Sequence, residues 1–238
     1  MNRVMPDTIL LAGGLGTRLR AAVPDLPKCM APVAGVPFLD YIIRYLHHEG
    51  IGRMIFSLGY RHEVISNHLQ IHFPEIAKEF SVEETPLGTG GGVLHALPHV
   101  HSDLVIVMNG DTFFHLDIRA FMNFHNEKNA DITIALKPMT NFNRYGSVVV
   151  NQNMQITAFK EKQDVAEGFI NGGVYIIRRA WLNGLDLPKK CSFEKDILEN
   201  QVGEGGLFGF ISDSFFIDIG IPEDYARAQH EVPAVCNI

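Results

Sequence analysis

Short apolar runs alternate along the chain with stretches in which apolar residues recur every three or four positions. Thr8-Ile9-Leu10-Leu11-Ala12 is almost continuously apolar and is closed by Gly13-Gly14, the pattern of a parallel strand covered on both faces. A polar, proline-punctuated stretch follows from Leu15 to Pro37. Phe38, Leu39, Ile42, Ile43 and Leu46 then recur at helical spacing, and Gly50 stops that helix. Strands are predicted over 54–58, 80–82 and 104–108, and helices over 63–69, 92–97 and 118–128. Such alternation predicts a parallel sheet with helices on both faces.

Beyond residue 130 the pattern changes. Apolar runs over 131–136, 147–150, 156–159 and 173–177 are separated by turns rather than helices, which predicts antiparallel pairing. Ser192 is placed to cap a helix over 192–200, a last strand covers 215–218, and a closing helix over 222–230 begins with Pro222. No internal repeat, linker or low-complexity segment stands out. The expectation is an α/β chain with a mixed, mainly parallel central sheet and a more β-rich second half. It is read as one domain over residues 1–238, divided near residue 130.

Composition narrows the class. Of 238 residues 46% are hydrophobic, enough for one compact core, and 20% are charged. With 20 Lys and Arg against 27 Asp and Glu the formal charge is −7, and no basic patch suits duplex nucleic acid. No apolar run has the length of a signal peptide or a membrane span, so no membrane partner is expected. Three scattered cysteines, Cys29, Cys191 and Cys236, fit a reduced cytoplasmic chain. The pairs His68 with His72 and His95 with His99 lack the intervening Glu of a zinc protease helix, and Pro98 would break the second. They are read as surface and packing histidines.

An acidic chain that binds polyanions must gather its few cations locally. The run Leu11-Ala12-Gly13-Gly14-Leu15-Gly16-Thr17-Arg18 follows the first strand, and its glycines let backbone N–H groups approach an anion. It is not a dinucleotide fingerprint, because position 19 is Leu, and no Lys follows a Gly as a Walker A loop requires. Arg18 offers a planar fork to a triphosphate, and Lys28 a compact charge for a second phosphate. Asp111 ends the apolar run Val105-Ile106-Val107-Met108, where open α/β sheets bind ligands. A second reading of Asn109-Gly110-Asp111 stays open: a hairpin turn, with Phe113-Phe114 as the returning strand. Asp218 likewise ends the apolar run Phe215-Phe216-Ile217. It is read either as a turn residue before Pro222 or as a second carboxylate beside Asp111.

Gly13 to Leu19 followed by Pro27-Lys28 and Met30-Ala31-Pro32-Val33 resembles the signature of the sugar-1-phosphate nucleotidyltransferases. The similarity continues through Glu83 to Gly91, Gly110-Asp111-Thr112, Phe159-Lys160-Glu161-Lys162, Ile170-Asn171-Gly172-Gly173 and Ile217-Asp218-Ile219-Gly220. Pro37-Phe38-Leu39 is similar to the bacterial heptose-1-phosphate guanylyltransferases among them.

The resemblance implies a Rossmann-like nucleotide-binding first half and a sugar-binding second half. It implies Mg²⁺ held by Asp111 and Asp218, and catalytic roles for Arg18, Lys28 and Asp111. Leu11, Ala12, Gly13, Gly14, Gly16, Thr17, Glu84, Gly88 and Thr89 would hold the nucleotide, with Gly88 to Gly92 packing the backbone against the base unless that run is only a flexible loop. Glu161, Lys162, Asn171 and Gly172 would hold the sugar phosphate. The reaction implied joins a nucleoside triphosphate, GTP favoured, to a sugar 1-phosphate, heptose favoured, for lipopolysaccharide or capsule precursors. UTP, CTP or ATP as donor, mannose or glucose 1-phosphate as acceptor, a non-catalytic nucleotide-sugar-binding module, and a homo-oligomer all stay open. A metal-dependent glycosyltransferase is disfavoured, because Asp111-Thr112-Phe113 lacks the second carboxylate of an Asp-x-Asp pair.

Overall fold

In a computed structural model, which describes residues 5–14, 19 and 23–236, the first apolar run forms strand β1 (Asp7–Leu11). β2 (Pro32–Val33) and β3 (Val36–Pro37) form a small hairpin across Ala34 and Gly35, both at positive φ, as a tight two-residue turn requires. Helix α1 (Phe38–His48) follows, and the apolar stripe read from the sequence is the face it buries. Next come β4 (Arg53–Leu58), α2 (His62–His72), β5 (Ala77–Val82), α3 (Gly88–Ala96), β6 (Leu104–Asn109), β7 (Thr112–Phe114) and α4 (Ile118–Glu127). The second half holds β8 (Ile132–Phe142), β9 (Ser147–Val150), β10 (Ile156–Lys160), β11 (Val165–Arg178) and α5 (Arg179–Asn183). A π-helical turn (Phe193–Leu198), β12 (Leu207–Ile211), β13 (Phe216–Asp218) and α6 (Pro222–Cys236) complete the described chain.

One nine-stranded sheet spans both halves. β5, β4, β1 and β6 lie side by side and parallel, with Ile9 opposite both Ile55 and Val107. The chain starts in the middle at β1, moves outward through β4 and β5, and crosses back to β6 on the other side of β1. That reversal opens a crevice beyond the carboxyl ends of β1 and β6, where open α/β sheets bind ligands. β11 joins antiparallel to β6 and carries the sheet into the second half, pairing with β8 and β9.

Successive strand residues project to opposite faces. Leu10, Met54, Phe56, Ile106 and Met108 pack with Leu39, Ile42, Phe121 and Ala228 of α1, α4 and α6. Ile9, Ile55, Val105 and Val107 pack with Val93 and Ala96 of α3 and with Phe193 and Ile197. Both faces are therefore dry, which is why these strands read as continuous apolar runs rather than alternating ones.

Several elements differ from expectation. β8 runs six residues beyond 136, and β11 starts at Val165 rather than 173, because the two pair with each other through half-polar stretches that carry no apolar signal. β7 was foreseen only in the hairpin reading of Asn109-Gly110-Asp111, β12 was not foreseen, and α6 continues through Pro233 to Cys236. Ser192 does cap, its side chain accepting from the Lys195 N–H, but the element is a π-helical turn followed by a 3₁₀ turn. Among the described residues no helix is long and apolar enough to cross a membrane.

Candidate active site

The crevice is built by turns that touch. Ala12 N–H donates to Ser57 O at 2.9 Å and Gly110 N–H to Leu11 O at 2.9 Å, so the turn after β1 is tied to the ends of β4 and β6. A Cβ on Gly13 would lie 3.1 Å from Gly59 N, so a side chain there would press on the backbone of the turn after β4. Gly14 differs: a Cβ there would meet nothing within 4 Å. The space it leaves is open to a ligand's close approach. Gly16, Thr17 and Arg18 lie outside the described residues.

A cavity of about 820 Å³ fills this crevice. Of the residues singled out in the sequence, Leu11, Ala12, Gly13, Gly14, Lys28, Glu84, Gly88, Thr89, Asp111 and Asp218 line it. Lys28 opens a 3₁₀ turn (Lys28–Met30) whose Cys29 and Met30 are buried, which fixes its backbone. Its Nζ lies 2.7 Å from Asp111 Oδ2 and 3.2 Å from Asp218 Oδ1. Burial opposes the Lys28 charge, but the charges and hydrogen bonds of Asp111 and Asp218 together outweigh it, holding its pKa above the ordinary lysine value. Burial pushes the Asp218 carboxyl above its usual range, and the Asp111 charge adds to this against the pull of Lys28. Burial, reinforced by Asp111, drives the Cys29 thiol up to about 12, so it is no thiolate nucleophile at neutral pH.

Asp111 lies one residue past Gly110 at the end of β6 and directly before β7, and Thr112–Phe114 is a strand, as the hairpin reading required. That strand does not return along β6, however; it pairs with β13, placing Asp111 and Asp218 at neighbouring ends of one small ladder. The glycine run is no flexible loop either. It forms the first turns of α3, where Gly90 N–H donates to Cys191 O at 2.9 Å and a Cβ on Gly90 would strike Cys191 Sγ at 2.7 Å. Thr89 Oγ1 donates to Glu194 and accepts from Phe193 N–H. Glu83 holds the preceding turn by accepting from Leu87 N–H at 2.9 Å. Glu84, beside it, has no hydrogen bond or ion pair among the described residues.

A second cavity of about 250 Å³ adjoins the first and shares Asp218 and Gly220 with it. Lys162 lines it, together with Arg144, Tyr145, Ile221 and Asp224. Glu161, Asn171 and Gly172 are not brought into either wall. Asn171 is occupied internally: its Nδ2 donates to the Tyr175 hydroxyl and its Oδ1 accepts from Gly173 N–H, both at 2.9 Å. These bonds sit where the β11 register shifts between Asn171 and Tyr175, with Gly173 at φ +71. The Asn-Gly-Gly run therefore shapes a bulge. Gly172 is packed against the Phe114 ring, which a Cβ would meet at 2.5 Å.

The profile of the nucleotidyl transferase family matches residues 7–234. The chain belongs to that family. Two curated relatives named D-glycero-alpha-D-manno-heptose 1-phosphate guanylyltransferase are similar to this nucleotidyltransferase over nearly their whole lengths. The protein from Aneurinibacillus thermoaerophilus is 46% identical over 95% of this chain and 98% of its own. The one from Campylobacter jejuni is 41% identical over 92% and 96%. Among solved structures, HddC from Yersinia pseudotuberculosis complexed with GMP-PN superposes with a TM-score of 0.86 at 35% identity, covering 95% of this chain and 99% of that one.

Nucleotidyltransferases of this family generally use a divalent metal. The donor set here fits a hard cation: two carboxylates share one ammonium, and Asp218 Oδ2 has no partner among the described residues. Reading motifs missed Ser57, Gly59 and Tyr60 in the cavity wall, although they lie at the carboxyl end of β4 and the strand-end rule reaches them. Arg144, Tyr145 and Asp224 carried no comparable signal, being polar residues in a turn and a helix.

Proposed function

We propose that this nucleotidyltransferase transfers GMP from GTP to D-glycero-α-D-manno-heptose 1-phosphate with Mg²⁺, releasing pyrophosphate and GDP-heptose. The observation that carries the reaction is the Lys28-bridged pair Asp111 and Asp218 at the join of two cavities, one large enough for a nucleotide and the other beside it. The donor and acceptor are supported by the 46% and 41% identical relatives of that activity. We place it in the cytoplasm, as one catalytic domain making an activated heptose for lipopolysaccharide or capsule.

The acceptor phosphate, with its second pKa near about 6, is largely dianionic at neutral pH and needs no general base. One of its oxygens forms the new bond to the α-phosphorus of GTP. The bond from that phosphorus to the β-bridging oxygen breaks, and its electron pair leaves with pyrophosphate. The chain's part is to bring two polyanions together in line. Lys28 supplies positive charge where they meet, Arg18 and the glycine turn are assigned to the triphosphate, and Lys162 to the acceptor phosphate. Asp111 and Asp218 would hold the divalent ion, which when bound neutralises phosphate charge. Glu84 is assigned to accept from the ring N–H and amino group of guanine; a base without those donors would leave it unpaired.

The test is pyrophosphate release with GTP, ATP, UTP and CTP against a panel of sugar 1-phosphates including heptose, mannose and glucose. The highest kcat/KM is expected for GTP with the heptose. A preference for another pair overturns the specificity, and folded protein that releases no pyrophosphate with any pair overturns the reaction.

A further inference from the structure

The smaller cavity holds two cations in different electrostatic states. Arg144, in the turn between β8 and β9, donates from Nη2 to Asp224 Oδ2 at 2.8 Å. Its guanidinium carbon also lies 5.6 Å from the centre of the Tyr145 ring. Asp224, on the first turn of α6, is buried, and its other oxygen accepts from Arg227 at 3.1 Å. Arg144 is thus fixed in direction and its charge is compensated, while its side chain is still 45% exposed. Lys162 is the opposite: exposed, with no hydrogen bond or ion pair among the described residues.

The two cavities meet at Asp218 and Gly220. In the reaction proposed above, the acceptor phosphate must reach that join to attack a phosphorus in the larger cavity. Arg144 and Tyr145 line only the smaller one, so they face the rest of the acceptor, its sugar. The chemistry agrees. An uncompensated ammonium suits a dianion, whereas a compensated, anchored guanidinium offers directional N–H donors to neutral hydroxyls. Burial, with the Asp218 charge adding and Arg144 opposing, pushes the Tyr145 phenol up to about 12, so it too is a neutral donor beside that space.

We propose that Arg144 is a specificity-determining residue that donates to the hydroxyls of the acceptor sugar, and that Asp224 is the positioning residue that aims it. The inference rests on the function proposed above. It is tested with GTP and D-glycero-α-D-manno-heptose 1-phosphate as substrates and inorganic phosphate as a competitive inhibitor. Arg144→Leu, at a half-exposed side chain that leaves the core intact, is expected to raise the acceptor KM by about tenfold to a hundredfold. The GTP KM and the inhibition constant of phosphate should stay within about twofold, well under one hydrogen bond's worth. Arg144→Lys should not restore the acceptor KM, because a single ammonium cannot reproduce the fork. Asp224→Asn should shift it in the same direction with GTP unaffected, a split that general loosening of α6 would not produce.

An unchanged acceptor KM in Arg144→Leu overturns the inference alone. So does a matching loss of phosphate inhibition, which would make Arg144 a phosphate ligand. Wild-type protein that releases no pyrophosphate overturns the function and this inference with it.

Discussion

Lys28 is the residue on which the site closes. Without its ammonium, Asp111 and Asp218 would face each other across the crevice with no cation between them, and like charges so placed repel. Asp111→Asn and Asp218→Asn each remove a hard oxygen donor while keeping shape. Each is expected to lower kcat by about a hundredfold or more with Tm little changed. Near-normal kcat for Asp111→Asn at limiting Mg²⁺ would return that residue to a plain turn. A second residue-scale prediction concerns His125. Its Nδ1 is 2.8 Å from Thr133 Oγ1, its Nε2 is buried without a partner among the described residues, and burial, with a smaller contribution from the Arg178 charge, lowers its pKa to about 4. The unfolded chain therefore binds that proton more readily, with an ordinary pKa near about 6.5. Stability from this group is complete above that value and is lost as pH falls from there toward 4, by up to about 3 kcal/mol. His125→Phe should flatten the fall of urea-unfolding stability over that window; an unchanged slope would refute the assignment.

At the scale of elements, the glycine run at the start of α3 shows what sequence can and cannot disclose. Its letters suggested a site, and Gly88 and Gly92 do line the cavity. Their letters could not say that Gly90 and Gly91 are glycine because residues 189–191 press against them, about a hundred positions away. Gly88 has φ +79, and a Cβ there would lie 2.5 Å from Cys191 O. Gly88→Ala should therefore cost more than the roughly 1 kcal/mol of the backbone conformation alone, measured as a lower Tm, and should raise the GTP KM. A Tm within error of wild type would mean that the contact yields freely. The strands divide in the same way. β1, β4 and β6 were legible because burial on both faces makes them purely apolar, whereas the outer halves of β8 and β11 are half-exposed and polar, stabilised by pairing that leaves no local trace.

For the whole molecule, the nine-stranded sheet matters most, since β11 couples β6 of the first half to β8 of the second. We expect the two halves to unfold together. The only tryptophan, Trp181 on α5, packs against the core on the α3 face of the sheet and reports locally, while far-UV circular dichroism reports on the whole chain. Their urea transitions should coincide; separated midpoints would show two independently stable halves.

Local chemistry determined a good deal. The apolar runs fixed which segments are covered strands, their alternation with helices fixed the α/β class, and the glycines, cations and strand-end carboxylates are the basis of the polyanion site proposed here. Each of those properties is set by neighbours within a few positions of the chain. The tertiary structure alone decided that Lys28 bridges Asp111 and Asp218, 83 and 190 positions away. It also decided that Asn171 and Gly172 shape a bulge in β11, and that Arg144 reaches Asp224 at the smaller cavity. Such contacts depend on sheet order and on the pairing of β7 with β13, and long-range closure of that kind imposes no period or spacing on the letters themselves.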